Sequence, residues 1–97
     1  MKDIIENLSK TFESRIRLGV MSLLMVNETM DFNTLKQMLN VTDGNLASHI
    51  NALEKNKLLK IKKKIIGKKM NTAYTVTDKG RKEFNDHLEA LEKLIKM

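Results

Sequence analysis

The sequence predicts a mainly α-helical domain that carries one small antiparallel β-hairpin, which is an α+β fold. Three observations favour this class. Apolar residues recur at spacings of three and four through most of residues 2–56, as on one face of an α-helix. From Leu59 to Val76 the period becomes two, with a glycine-containing turn at 67–69, as in a β-hairpin. Residues 78–96 then return to helical spacing.

The order of these elements suggests a known architecture. In chain order they are helices over 2–12, 14–27, 33–39, 42–56 and 78–96, a very short strand at 30–32, and hairpin strands at about 59–65 and 72–76. The predicted N-cap residues are Ser14, Asn33, Thr42 and either Thr77 or Asp78. Two short helices joined by about three residues and followed by a hairpin are the outline of a winged helix-turn-helix.

Length and composition indicate one small globular domain over residues 1–97. The 97 residues include no cysteine, which excludes disulfides, a cysteine nucleophile and thiolate metal sites. The N-terminus is acidic and amphipathic, unlike a signal peptide, and no apolar run has the length of a membrane span. We therefore expect a soluble cytoplasmic protein that does not bind a membrane.

The positive charge is concentrated in one segment. The net charge is +6, and eight lysines with no acidic residue fall between Lys55 and Lys69. Such a concentration of positive charge is typical of a surface that binds a polyanion. Because it lies on the hairpin, we expect a basic wing whose lysines bind phosphates. Residues expected at the DNA backbone are Thr42, Lys55, Lys62, Lys63, Lys64, Lys68, Lys69, Asn71 and Thr72.

The helix over 42–56 has a short polar face. Its apolar stripe is Leu46, Ile50 and Leu53, which leaves small and polar residues on the other side. Donors and acceptors of that kind match the base edges of the major groove. The expected base-reading residues are Gly44, Asn45, Ser48, His49 and Asn51.

From Arg15 to Arg81 the sequence resembles the winged-helix transcriptional regulators of the MarR and ArsR type, especially the short stand-alone group. The matching stretches are Arg15–Val20, Asp31–Lys36, Val41–Ile50, Leu53-Glu54, Gly67–Lys69 and Thr72–Arg81. The resemblance implies a double-stranded DNA-binding repressor or activator that is usually a homodimer. Relatives often have a proline in the wing turn, where this chain has Met70-Asn71.

The terminal helices, 2–12 and 78–96, are the expected dimer interface. Their apolar stripes exceed what one small core needs; packing of the two helices within one chain is the alternative. The stripe of the last helix, Phe84, Leu88, Leu91 and Ile95, is spaced like a coiled-coil seam. The predicted interface residues are Ile4, Ile5, Leu8, Leu88, Leu91 and Ile95.

An enzyme is not expected, and no catalytic residue, metal site or cofactor is predicted. Ser48 and His49 are adjacent on a helix, so their side chains diverge and form no nucleophile–base pair. His87 lies near Asp86 and Glu89, where a solvated helix face is favoured over a metal site. Two alternatives stay open: sequence-independent DNA or RNA binding, favoured by the absence of arginine from residues 42–72, and a protein-interaction module. The sequence identifies no small-molecule effector.

Overall fold

In a computed structural model, which describes residues 1–96 apart from the side chains of Lys64 and Ile66, the elements follow the predicted winged helix order. They are α1 (Lys2–Glu6), a 3₁₀ turn (Lys10–Phe12), α2 (Arg15–Val26), β1 (Met30–Asp31), α3 (Phe32–Leu39), α4 (Asp43–Lys55), β2 (Leu59–Ile66), β3 (Lys69–Val76) and α5 (Asp78–Ile95). The predicted fold class, helices with a small antiparallel sheet, is confirmed. Among the described helices, none is both long enough and apolar enough to cross a membrane.

The three strands form one antiparallel sheet in the order β1-β3-β2. β2 and β3 pair over their whole length, from Leu59 opposite Val76 to Ile66 opposite Lys69. The turn is therefore only Gly67-Lys68, and Gly67 has a φ of 64°, which a glycine at the first position of a type II′ turn adopts without steric cost. The predicted turn at 67–69 was one residue too long, and the return strand begins at Lys69 rather than at Thr72, so Met70 and Asn71 lie in β3.

The core joins α2, α3, α4 and α5 to the inner face of the sheet. Its largest fully buried side chains are Phe12, Val20, Met21, Leu24, Leu35, Leu46, Ile50, Leu53, Leu58 and Leu59. Phe12 meets Phe84 of α5 edge to face, with ring centroids 5.2 Å apart. The start of α5 lies against the chain just before β2, where a Cβ on Gly80 would fall 2.2 Å from the carbonyl oxygen of Leu58.

Side-chain caps fix where the helices begin. Ser14, Thr42 and Thr77 accept the backbone N–H groups of Arg17, Asn45 and Gly80, as three of the predicted caps require. The predicted cap Asn33 was wrong. Asp31 caps α3 instead, because its Oδ1 accepts the N–H of Thr34 at 2.7 Å, and this bond lowers the pKa of the Asp31 carboxyl.

The N-terminal region is not one helix over 2–12. α1 ends at Glu6, and the chain turns before the 3₁₀ turn at Lys10–Phe12. The backbone N–H of Ser9, between the two, donates to His87 Nδ1 at 2.9 Å instead of to a helical carbonyl. This bond joins the break to α5, and Phe12 just after it is buried in the core against Phe84.

The buried face of α5 also differs from the predicted stripe. Gly80, Phe84, His87 and Ala90 face inward. Leu88, Leu91 and Ile95 lie on a different face and remain 42%, 37% and 82% exposed. Phe84 therefore belongs to the core and not to the seam, and the helix has two apolar faces of which only one is covered.

Candidate nucleic-acid interface

The outer face of α4 is polar and continuous. Leu46, Ile50 and Leu53 anchor the helix in the core, so the opposite side is directed to solvent. The residues exposed on it are Thr42, Asp43, Gly44, Asn45, Ser48, Asn51 and Lys55. Four of the five predicted base-reading residues, all except His49, thus share one accessible surface that small side chains leave open to a close approach.

His49 is held by a neighbour that the sequence did not indicate. It is half-buried, and its Nδ1 accepts a hydrogen bond from Nε of Arg17 at 3.0 Å. Nη1 of Arg17 also contacts the carbonyl oxygen of Thr11 at 3.4 Å. Because Nδ1 is the acceptor, the neutral ring carries its proton on Nε2, which makes that atom a hydrogen-bond donor.

One sequence signal for Arg17 was available. Arg15 and Arg17 both lie in the first turn of α2, where the helix dipole disfavours positive charge. This signal applies equally to the exposed Arg15, so it does not by itself distinguish Arg17. The structure supplies a partner for Arg17 in His49 of α4, so Arg17 links the start of α2 to the predicted reading helix.

The start of α4 has balanced charge. Asp43 is exposed in the first turn, but Nζ of Lys36 from α3 lies 2.8 Å from its Oδ1. Arg15 at the start of α2 is also exposed. It lines a surface cavity of about 500 Å³ that extends to Val41, the residue before the N-cap of α4. Lys36 offsets the carboxylate that would otherwise repel a phosphate at this helix terminus, so the predicted backbone contact at Thr42 is electrostatically feasible.

The wing, defined as residues 60–76, carries its lysines on the surface. Exposed lysine side chains are those of Lys60, Lys62, Lys63, Lys68 and Lys69. Lys64, also predicted to contact the backbone, has a side chain outside the described part of the structure. Lys55, at the end of α4, is exposed as well. The lysines therefore form a cationic ribbon that follows α4 in the chain.

Two predicted backbone contacts on the wing are less accessible. Asn71 and Thr72 are half-buried. Asn71 lines a surface cavity together with Asp31 and Thr34, and its amide lowers the pKa of the Asp31 carboxyl less than Thr34 does. Asn71 of the wing therefore lies close to the cap of α3.

The six predicted interface residues separate into two groups. Leu88, Leu91 and Ile95 are exposed on α5, and Ile5 is exposed on α1. Ile4 and Leu8 are half-buried. Since α1 packs on α5 within the same chain, the alternative of intramolecular packing accounts for part of the apolar surface and leaves the rest open.

The prediction of a solvated helix face at His87 was wrong. It is 4% exposed, its ring packs against Phe12 at 5.4 Å, and its Nδ1 accepts the Ser9 N–H. Burial lowers the pKa of this imidazole, while the charge of Glu13 opposes the effect. Within residues 1–96, no group of three or more histidine, cysteine or acidic side chains is placed to hold a metal ion.

Comparison with known proteins identifies this arrangement. Residues 16–95 match the winged helix DNA-binding domain family. An uncharacterised protein of Methanocaldococcus jannaschii is 37% identical over 87 residues, which cover 90% of this chain and 95% of that protein. A transcriptional regulator homologue from Pyrococcus horikoshii OT3 is 34% identical, with a TM-score of 0.85 over 98% of this chain and 92% of its own.

A more distant likeness shows the fold alone. PadR of Bacillus subtilis, solved in complex with operator DNA, is 17% identical with a TM-score of 0.68, over 76% of this chain and 46% of its own. Together with the family match, these similarities confirm the resemblance to winged-helix transcriptional regulators.

Proposed function

Because the chain belongs to the winged helix DNA-binding domain family, we propose that it is a homodimeric transcriptional regulator that binds double-stranded DNA sequence-specifically. The whole chain acts as one domain, without catalysis, in the cytoplasm. α4 lies in the major groove, and the wing lies along the backbone or in the minor groove. The observation that carries this proposal is the exposed polar face of α4, followed by a hairpin whose described lysines are exposed.

Base reading is assigned to the outer face of α4. Asn45, Ser48 and Asn51 offer both donors and acceptors to the base edges, and Gly44 leaves room for the helix to approach. His49 contributes a donor at Nε2 because Arg17 occupies its Nδ1. We therefore expect His49 to meet an acceptor, either a guanine or thymine oxygen, a purine N7, or a phosphate.

Selection of duplexes from a random pool by the purified protein tests sequence specificity. A regulator should recover a common motif and prefer it to unrelated DNA by roughly 10³-fold or more. Asn45→Ala should then lose about 1–3 kcal/mol at one base position and relax specificity there. An equal loss on every duplex would contradict the assignment of Asn45 as a reader.

Dimerisation is assigned to the uncovered face of α5 together with α1. Leu88, Leu91 and Ile95 form an exposed apolar stripe there, for which a second copy offers an identical surface. In a two-fold dimer the two copies of α4 would meet half-sites about 34–36 Å apart.

Sedimentation at micromolar concentration tests the dimer. The wild-type mass should be that of two chains, and Leu91→Glu should give one chain with unchanged helix content. Asn85→Glu, at an exposed position of the same helix, adds the same charge and should remain dimeric. A wild-type mass equal to the monomer would remove the dimer from the proposal.

Sequence-independent binding is the second candidate. It is favoured by the absence of arginine from residues 42–72, since arginine is the commonest reader of guanine, whereas lysine meets phosphate as a point charge. Equal affinity for all duplexes at matched salt would support it over the regulator. Failure to bind any duplex at low salt would instead favour a protein-interaction module.

A further inference from the structure

Among the side chains that the structure describes, two large apolar ones at the tip of the wing are exposed to solvent. Ile65 of β2 and Met70 of β3 are opposite each other in the register, next to the turn. They are 74% and 62% exposed. With a strand rise of about 3.3 Å per residue, this pair lies roughly 20 Å along the hairpin from the buried Leu59.

The pair lies at the outer end of one face of the hairpin. Side chains alternate along a strand, so Leu59, Ile61 and Ile65 share a face of β2. That face is buried at Leu59, 39% exposed at Ile61 and mostly exposed at Ile65. The core therefore explains the apolar residues at the base of the wing but not the two at its tip.

The surroundings of this pair are cationic. Lys63 lies on the same face, and Lys68 and Lys69 follow in the turn and the start of β3; all three are exposed. The sequence has no acidic residue from Lys55 to Asn71. An apolar tip surrounded by positive charge is complementary to a surface that has negative charge at its edges and apolar groups between them. The minor groove of DNA is such a surface, because it lies between two phosphate backbones.

We propose that Ile65 and Met70 form an apolar wedge that enters the minor groove and partly unstacks a flexible base step, which kinks the duplex. The proposal rests on the DNA-binding function proposed above. The lysines of the wing hold the phosphates on either side, while the wedge contacts bases through shape and deformability. Pyrimidine–purine steps unstack most easily, so the wedge gives sequence preference without any arginine in the wing.

A duplex recovered by selection, about 30 base pairs long and labelled with a dye at each end, tests the wedge by energy transfer. Ile65→Thr/Met70→Thr removes the apolar surface while keeping residues that favour strands. Lys68→Ala is the matched control on the same hairpin. Met70→Thr alone serves as a second, milder variant, and circular dichroism verifies that each variant is folded.

The wild type should shorten the distance between the dyes, and it should prefer a TA step to an A-tract at the wing position by about tenfold. The double variant should leave the duplex straight and lose this preference, with an unchanged dependence on salt. Met70→Thr should show a partial loss of both effects. Lys68→Ala should keep the bend and change the salt dependence.

Each of the following results would overturn the wedge. If the wild type binds its selected site but leaves it straight, or if the double variant bends it equally, the wedge is rejected and DNA binding stands. If the wild type binds no duplex at low salt, the wedge and the proposed function are both rejected. If the double variant bends DNA normally but loses binding to anionic phospholipid vesicles, the tip is instead a membrane-contacting surface.

Discussion

The sharpest quantitative prediction concerns Lys68, in the turn of the wing. Lys68→Ala removes one exposed charge at the end of the hairpin farthest from the core. Because this residue lies in a two-residue turn and is outside the core, the change should leave the free energy of unfolding within about 0.5 kcal/mol of wild type. Its effect should therefore be confined to DNA binding.

The magnitude follows from the number of exposed wing lysines. Each phosphate that a lysine neutralises changes the slope of log K against log salt by about −0.9. Four of the five exposed lysines in the described part of the wing, Lys62, Lys63, Lys68 and Lys69, are predicted phosphate contacts, and together they give a slope of about −3.6 per protomer and about −7 for a dimer. Removing Lys68 from both protomers should flatten the slope by about 1.8, which makes the affinity loss between 50 and 200 mM salt about tenfold smaller.

Titrations of a labelled duplex at several salt concentrations measure this slope. Lys82→Ala, on α5, removes the same charge and breaks only an exposed ion pair with Asp86, so it should leave the slope nearly unchanged. A similar change in both variants would show that net charge, and not the wing, sets the slope. A change of about 0.9 for Lys68→Ala would indicate that one protomer, not two, contacts the DNA.

Three further predictions concern the remaining parts of the molecule. Replacing Arg17 by alanine or by lysine should cost about 1 kcal/mol of base discrimination in binding titrations, because neither side chain can hold His49 as the guanidinium does. If Arg17→Lys discriminates between bases as well as the wild type, only the charge of this residue matters. Gly44→Ala should raise the free energy of unfolding by about 0.5–1 kcal/mol through helix propensity, because a Cβ at this position meets no atom within 4 Å. The same variant should weaken DNA binding, and an unchanged affinity would contradict a close approach of α4 to the DNA. Because burial lowers the pKa of His87, thermal stability should fall as the pH drops below about 6.5, the ordinary value for histidine, and level off below the folded-state pKa. His87→Asn keeps an acceptor for the Ser9 N–H and should remove this pH dependence. If the stability of the variant still depends on pH in this range, other groups are responsible.

Local patterns were sufficient to predict α2, α4, α5 and the presence of the hairpin, because these elements have strong local signals. Thr42 caps α4 three residues before the N–H that it accepts, and the period of two fixes the face of each residue in β2. The cap of α3 was misplaced because Asp31 and Asn33 are both good caps, and only the path of the chain from β1 decides between them.

Long-range contacts account for the larger errors. The bond from Ser9 to His87 joins residues 78 positions apart, and no periodicity in either segment indicates it. That bond ends the N-terminal helical pattern early and turns His87 inward. The apolar residues of α5 do have a coiled-coil spacing, but Phe84 belongs to two faces of the helix, and in the structure it is buried in the core.

The same reasoning explains how the exposed polar face of α4 was predicted while its contact with Arg17 was missed. Exposure along α4 follows from helical geometry, so Asn45, Ser48 and Asn51 could be placed from spacing alone. Arg17 lies 32 residues from His49, and its contact with His49 forms only when α2 and α4 pack together.

The contact between Arg17 and His49 also bears on sequence specificity. The absence of arginine from residues 42–72 leaves the wing with lysine as a point charge, but the guanidinium of Arg17 acts from outside that segment by fixing which atom of His49 donates. In the proposed function, affinity from the wing and discrimination from α4 depend on separate residues, so variants of Lys68 and Arg17 should alter one without the other.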